Sequence, residues 1–183
     1  MPQPAIGARH PLLDAHRVCH RLWVGAYPYP VQRLDFSLWV QCAAEFCGTE
    51  KSFASSLGSL QVFSIALHDD GEHRLNKDDI WLADRAAAEI DHHWRQGGRV
   101  LVTCAQGRNR SAFVAALALT RFTMMTADEA IGHLRRARRV PGVLVNEDFN
   151  AAIRRTNDWA RMAAPSRETG LIRAGAPNPG GFL

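Results

Sequence analysis

No stretch of this chain is apolar for long enough to cross a bilayer. The longest charge-free apolar run, around Ala112 to Thr120, falls far short of a spanning helix. The N-terminal residues Met1-Pro-Gln-Pro-Ala-Ile-Gly-Ala-Arg-His10 carry no apolar h-region, so neither a signal peptide nor a membrane partner is expected. Cysteine is sparse. Cys19, Cys42, Cys47 and Cys104 form neither the paired short spacings of a zinc site nor a dense disulfide framework, which leads us to expect a reducing, cytoplasmic location. Lysine is scarce and arginine greatly outnumbers it. The formal charge of +4 favours anionic ligands without naming one, and much of the arginine reads as solvated helix surface. There is no internal repeat and no domain linker. The 183 residues suit one domain with a core of its own.

Four segments read as buried strands: Leu22 to Tyr27, Leu38 to Ala43, Leu60 to Leu67 and Arg99 to Thr103. Helical patterns lie between and after them. Ile80, Ala83, Ala87, Ile90 and Trp94 fall on one face of a helix that Asp78 or Asp79 can cap and Gly97-Gly98 can end. The segment after Arg110 is apolar nearly all round, as a central helix would be. Thr126-Ala-Asp-Glu129 has the form of a capping box, and Asn146 can cap a last helix carrying Phe149, Ile153 and Trp159. This alternation predicts an α/β fold: a largely parallel sheet of about four or five strands with helices on both faces. Residues 1–15 and 164–183, rich in Pro and Gly, are expected to be flexible segments flanking a domain at 16–163.

The segment Arg99-Val-Leu-Val-Thr-Cys104-Ala-Gln-Gly-Arg-Asn-Arg110-Ser111 carries the chemistry. A Cys followed six residues later by an Arg is a weak signal by itself; context supplies the specificity. The Cys ends a buried strand, Gly107 sits mid-loop where a tight turn excludes a Cβ, and Arg110 stands at a helix entrance. Successive N–H groups of Ala105, Gln106, Gly107, Arg108, Asn109 and Arg110 can bind phosphate oxygens, and the helix N-terminus adds positive potential. The Arg110 guanidinium can hold two oxygens in a fork. The same field favours a thiolate on Cys104, able to attack phosphorus, and the Ser111 hydroxyl is placed to hydrogen-bond the sulfur. The opposing reading makes Cys104 a small buried residue and pairs Arg110 with a carboxylate. Arg108, within the loop at the mouth of the pocket, could recruit a second negative charge on the substrate.

The loop resembles that of the Cys-based protein tyrosine phosphatase superfamily, in its dual-specificity branch. His20-Arg-Leu-Trp-Val-Gly25 and Trp39-Val-Gln-Cys-Ala-Ala44 look like the family's first two strands, and Val140-Pro-Gly-Val-Leu-Val-Asn146-Glu-Asp-Phe149 looks like its closing Asn-x-x-Phe segment. The resemblance covers about residues 18–155. It departs at Thr103, where the family has a His that helps order the loop. It implies a phosphotyrosine phosphatase-like fold and metal-free, cofactor-free hydrolysis of phosphomonoesters, with phosphorylated proteins as substrates. It also implies an Asp general acid upstream of the nucleophile. Leu75 stands six residues after Asp69, as the family's apolar residue does after its acid, so Asp69 is preferred to Asp70. Read without the loop, His68-Asp69-Asp70-Gly-Glu72-His73 is an ordinary polar turn, and its spacing matches no common metal site.

Three alternatives remain at this stage. Asn109 before Arg110 also resembles the loop of RNA 5′-triphosphatases, which need no acid, and only there would nucleic acid be a partner. A phosphate-binding module with little turnover is another alternative. A rhodanese-type sulfur transferase fits the Asp turn and the Arg-Ser ending poorly. His16, His20, His92 and His93 are read as surface or structural, with His16 and His20 on a possible helix face. Cys42 or Cys47 could be a redox partner of Cys104. Arg135-Arg136-Ala-Arg138-Arg139 complements a helix dipole, and it lacks the aromatic interleaving that a nucleic-acid patch usually shows.

Overall fold

A computed structural model describes residues 5–28, 35–49, 60–70 and 73–163, the side chains of 159–163 excepted. Its elements run β1 (Ala15–Cys19), β2 (Leu22–Ala26), β3 (Leu38–Ala43), a 3-10 turn (Ala44–Phe46) and β4 (Gln61–Leu67). There follow α1 (Lys77–Arg95), β5 (Val100–Cys104), α2 (Arg110–Phe122), α3 (Ala127–Arg138) and α4 (Glu147–Ala163). The sheet has five strands in the order β1-β2-β5-β3-β4, antiparallel at β1 and parallel elsewhere. No helix among the described residues is long and apolar enough to cross a membrane.

The four expected strands are β2 to β5, and the largely parallel sheet is present. β1 was not expected, because Ala15-His-Arg-Val-Cys19 mixes polar and apolar residues. His16, expected on a helix face, lies in this strand, and it and Arg17 are buried there. Residues 7–10 also pair with β1: the Gly7 N–H donates to Arg17 O at 2.7 Å and the His10 N–H to Ala15 O at 2.8 Å. The segment expected to be loose as far as residue 15 thus contains backbone pairing and the first strand residue. The tail at 164–183 lies outside the described residues, as does the Trp159 side chain.

Alternation along the strands sorts their side chains between two clusters. Leu22, Val24, Leu38, Val40, Val100, Val102 and Cys104 join the buried faces of all four helices. Trp23, Trp39 and Leu101, on the opposite face, gather with Ala15 and Phe36 into a smaller cluster. Large aromatic side chains supply much of that smaller cluster. The five-stranded, mostly parallel sheet with its four helices is the α/β architecture expected.

The helix ends are set by local chemistry. α1 is capped by Asn76 rather than by Asp78 or Asp79: Asn76 Oδ1 accepts from Asp79 N at 3.0 Å while Asp79 Oδ2 accepts from Asn76 N at 3.0 Å. Asp79 is thus the third-position partner of the box, and Gly97, at φ +87°, ends the helix. Thr126 and Glu129 form the expected capping box, and Asn146 caps α4. The α2 helix is buried along most of its length. Phe113 stacks on Phe149 of α4 with ring centroids 4.8 Å apart, a contact contributing roughly 0.5–1.5 kcal/mol beyond area burial.

Candidate active site

The central strand β5 ends at Cys104, flanked by the ends of β2 and β3. In parallel sheets this carboxyl edge, between strands whose connections diverge, is where ligands bind. Alternation directs Cys104 to the helical face, where Sγ lies 3.3 Å from the Ser111 hydroxyl. Both residues are buried. Thr103 turns to the other face and accepts a hydrogen bond from Trp39 Nε1 at 2.7 Å. The residue that departs from the family pattern is thus held rigidly, although it does not face the sulfur.

The loop from Ala105 to Asn109 is shaped by Gly107, at φ +66°. A Cβ there would overlap the Gly25 carbonyl carbon and the Ala26 nitrogen of β2, so only glycine lets the loop lie this close. The N–H groups of Gln106, Gly107, Arg108 and Asn109 find no acceptor among the described residues. Consecutive free donors of this kind are what a phosphate cradle requires. The Asn109 side chain does not cap α2, which leaves the first turn of that helix open as well.

Arg110 is nearly buried. Its two terminal nitrogens take both carboxylate oxygens of Glu45 (Nη2 to Oε1 at 2.7 Å, Nη1 to Oε2), and Nη1 also donates to Leu67 O at 3.2 Å. The carboxylate pairing raised as an objection is therefore present, but it uses only one edge of the guanidinium. Nε is buried without a partner among the described residues, so the donors of the edge formed by Nε–H and one Nη N–H are not consumed by Glu45 and could serve a second bidentate ligand. Burial disfavours the charge on Arg110, but Glu45 and Cys104 outweigh it and push its pKa further up. The same hydrogen bonds hold Glu45 below the usual carboxylate range.

Asp69 is hydrogen-bonded to the nucleophile loop and to the α3–α4 connection. Asp69 Oδ2 accepts from Asn109 Nδ2 and Asp69 Oδ1 from Asn146 Nδ2, both at 3.0 Å. Asp70 folds back on its own turn and accepts from the His73 N–H at 2.9 Å. Ala44, Glu45, His68, Asp69, Asp70 and Arg110 line one cavity of about 500 Å³. Cys104 and the loop residues 105–109, Arg108 among them, lie outside that lining. The Arg108 carbonyl accepts from Leu144 N at 3.2 Å, in the α3–α4 connection. His73 pairs with Asp79 at 3.2 Å, and no metal-ligand cluster forms among the described residues.

Glu45, Asn146 and Arg138 were not singled out as site residues from the sequence. Arg138, read there as part of a surface basic run, is fully buried. Its Nε donates to Gly107 O at 3.0 Å, and its terminal nitrogens reach His16 Nδ1, the Asp14 carbonyl at 3.1 Å and the Asp14 carboxylate at 3.2 Å. The cradle is thus tied from behind to the first strand. Cys42 follows Gln41, which pairs with Thr103 in the register of β3 and β5, so it neighbours Cys104. Burial, and then the charge of Cys104, push its thiol well up.

Residues 23–158 match the family model of the dual specificity phosphatase catalytic domain. The chain belongs to that family. It is a Cys-dependent phosphatase. The phosphatase has the fold of several solved structures. Human DUSP28 is 20% identical and superposes with a TM-score of 0.65 over 84% of this chain and 99% of its own. A mouse putative dual specificity phosphatase, complexed with zinc tungstate, is 21% identical, with a TM-score of 0.68 over 86% of this chain and 96% of its own. PTPMT1 in complex with PI(5)P is 17% identical, with a TM-score of 0.65 over 81% and 99% respectively. No curated protein matches the phosphatase.

Proposed function

We propose that this phosphatase hydrolyses phosphomonoesters, with phosphorylated tyrosine, serine and threonine of proteins as its substrates. The Cys104 thiolate attacks phosphorus. The bond from phosphorus to the ester oxygen breaks, and Asp69 delivers its proton to that oxygen. Water then attacks the cysteinyl-phosphate and gives a proton to Asp69, and the sulfur leaves as thiolate with the Ser111 hydroxyl hydrogen-bonded to it. The loop N–H groups and the open edge of Arg110 bind the three equatorial oxygens in both steps. The reaction takes place in a reducing compartment, a reading that the four unpaired cysteines support.

One observation carries this reading. Arg110, at the start of the helix that follows the Cys104 loop, and Asp69 line one cavity. The position of Asp69 also supports monoesters over phosphoanhydrides, because a phosphate leaving group needs no proton donor. The test is hydrolysis of p-nitrophenyl phosphate in chelator, with vanadate as control. Wild type should turn over and be inhibited, and Cys104→Ser should fall to background. Equal rates for the two proteins would remove the nucleophile. Phosphate release from triphosphate-ended RNA that survives Asp69→Asn would instead favour an anhydride substrate, and vanadate binding without turnover would favour a binding module.

A further inference from the structure

Asp69 is gripped by side chains from two separate elements, and each is itself pinned. Asn109 Oδ1 accepts from Val145 N at 3.1 Å, so its amide must turn Nδ2 toward Asp69. Asn146 Oδ1 accepts from Asp148 N at 3.0 Å and Phe149 N at 3.4 Å as the cap of α4, so its Nδ2 is likewise committed to Asp69. Neither amide can flip without stranding a backbone N–H. The two elements that carry them are locked together where Phe113 of α2 stacks on Phe149 of α4.

From this arrangement we propose that Asn109 and Asn146 are positioning residues for the general acid, a two-amide clamp that fixes the Asp69 carboxyl over the phosphate cradle. The proposal rests on Asp69 being that acid. An ionised carboxylate offers about four lone-pair sites, two on each oxygen. The clamp takes one on each. The second site on either oxygen remains for the proton that goes to the leaving group, or for the water that arrives in the next step. Asn109 thus serves the site twice: its backbone N–H belongs to the cradle, and its side chain ties the acid to that cradle. A smaller residue at 109 would keep the loop but leave the acid free to swing. Holding the donor within hydrogen-bond reach of the leaving oxygen matters most where that oxygen departs as a strong base.

The experiment compares kcat/KM, which reports ester cleavage and not breakdown of the shared cysteinyl-phosphate, for p-nitrophenyl phosphate, whose leaving group departs without a proton, and for phenyl phosphate, whose leaving group needs one. The variants are Asp69→Asn, Asn109→Ala, Asn109→Ser and Asn146→Ser; serine at 146 keeps a cap for α4 while losing the reach to Asp69. Asp69→Asn should lose about a hundredfold more on phenyl phosphate than on the nitrophenyl ester. Asn109→Ala and Asn109→Ser should lose about tenfold more, and Asn146→Ser a similar or smaller factor, about the effect of freeing one positioned group. In the Asp69→Asn background, Asn109→Ala should add no further dependence on the leaving group. Unfolding midpoints identify any variant that fails to fold, and the others then carry the test. If Asp69→Asn is selective and the asparagine variants lose equally on both esters, the clamp is refuted while the acid stands. If Asp69→Asn itself is unselective, the acid assignment falls, and the clamp with it.

Discussion

Replacing Arg138 by Met should destabilise the phosphatase by about 3–5 kcal/mol, the usual cost of breaking a buried charged network from one side. Arg138 is fully buried, and the Met stem would replace much of its packing. What it could not replace are the donors. Gly107 O, Asp14 O and His16 Nδ1 would each lose a partner. A buried acceptor left unpaired costs roughly 1–3 kcal/mol. The Asp14 carboxylate adds little, because its side chain is about half exposed and would rehydrate. The sum is a large fraction of the ~5–15 kcal/mol that holds a domain of this size together. Arg138→Lys keeps the charge but cannot span three acceptors in different directions, and should cost about 1–2 kcal/mol. Urea unfolding followed by tryptophan fluorescence measures both. Folded Arg138→Lys should also bind vanadate more weakly than wild type, because the Gly107 carbonyl would no longer be tethered. An Arg138→Met protein within 1 kcal/mol of wild type would show that the loop needs no anchor from behind.

Other consequences follow from the same contacts. Glu45→Gln should raise KM for aryl phosphates and weaken vanadate binding by roughly threefold to tenfold, since the half-exposed carboxylate contributes about 1 kcal/mol to holding the terminal nitrogens of Arg110; tighter binding would mean that Glu45 competes with the substrate instead. Thr103→Val leaves the buried Trp39 indole N–H without an acceptor and should cost about 1–2 kcal/mol in urea unfolding, with a smaller effect on turnover. Burial and then the Arg138 charge lower the His16 pKa from its ordinary 6.5, while Asp14 opposes and Arg9 and Arg139 reinforce the shift. The unfolded chain therefore binds a proton at His16 more readily than the folded one. The His16 contribution to stability is therefore full above 6.5 and is lost as pH drops below it, and His16→Asn should flatten part of the slope between pH 7 and 5; an unchanged slope would remove His16 as its source.

The β5–loop–α2 unit was legible in the sequence because its signals are local: a buried strand, a glycine where the backbone turns sharply, and an apolar helix. The choice of Asp69 over Asp70 rested on family spacing; Asp69 accepts from the Asn109 side chain, and both aspartates line the cavity with Arg110. What escaped was set by contacts distant along the chain. Arg138 looked like a cation complementing a helix end, and nothing near it signals that its guanidinium turns inward to meet Gly107 and Asp14. Glu45 sits in a short turn with no motif of its own, and only the pairing of β3 beside β5 brings it to Arg110. β1 was missed because His16 and Arg17 break its apolar pattern, and their burial makes sense only once Arg138 is present to pair with the histidine.

The charges around the cavity suggest where its affinity for phosphate originates. Glu45, Asp69 and Asp70 line it together with one arginine and His68, so the lining is not strongly cationic. The terminal edge of Arg110 is already occupied by Glu45. A substrate phosphate therefore gains little from the summed field of side chains and depends on short-range donors: the loop N–H groups, the helix start and the remaining edge of Arg110. Such donors reward correct placement steeply and distance poorly. That accounts for the heavy bracing of the cradle. Gly107 lies against β2, its carbonyl is held by Arg138, Asn109 is fixed by Val145, and Arg110 is held by Glu45 and Leu67. In a site that attracts its ligand only weakly from afar, the rigidity of those donors decides whether the phosphoryl group is held in line with the sulfur.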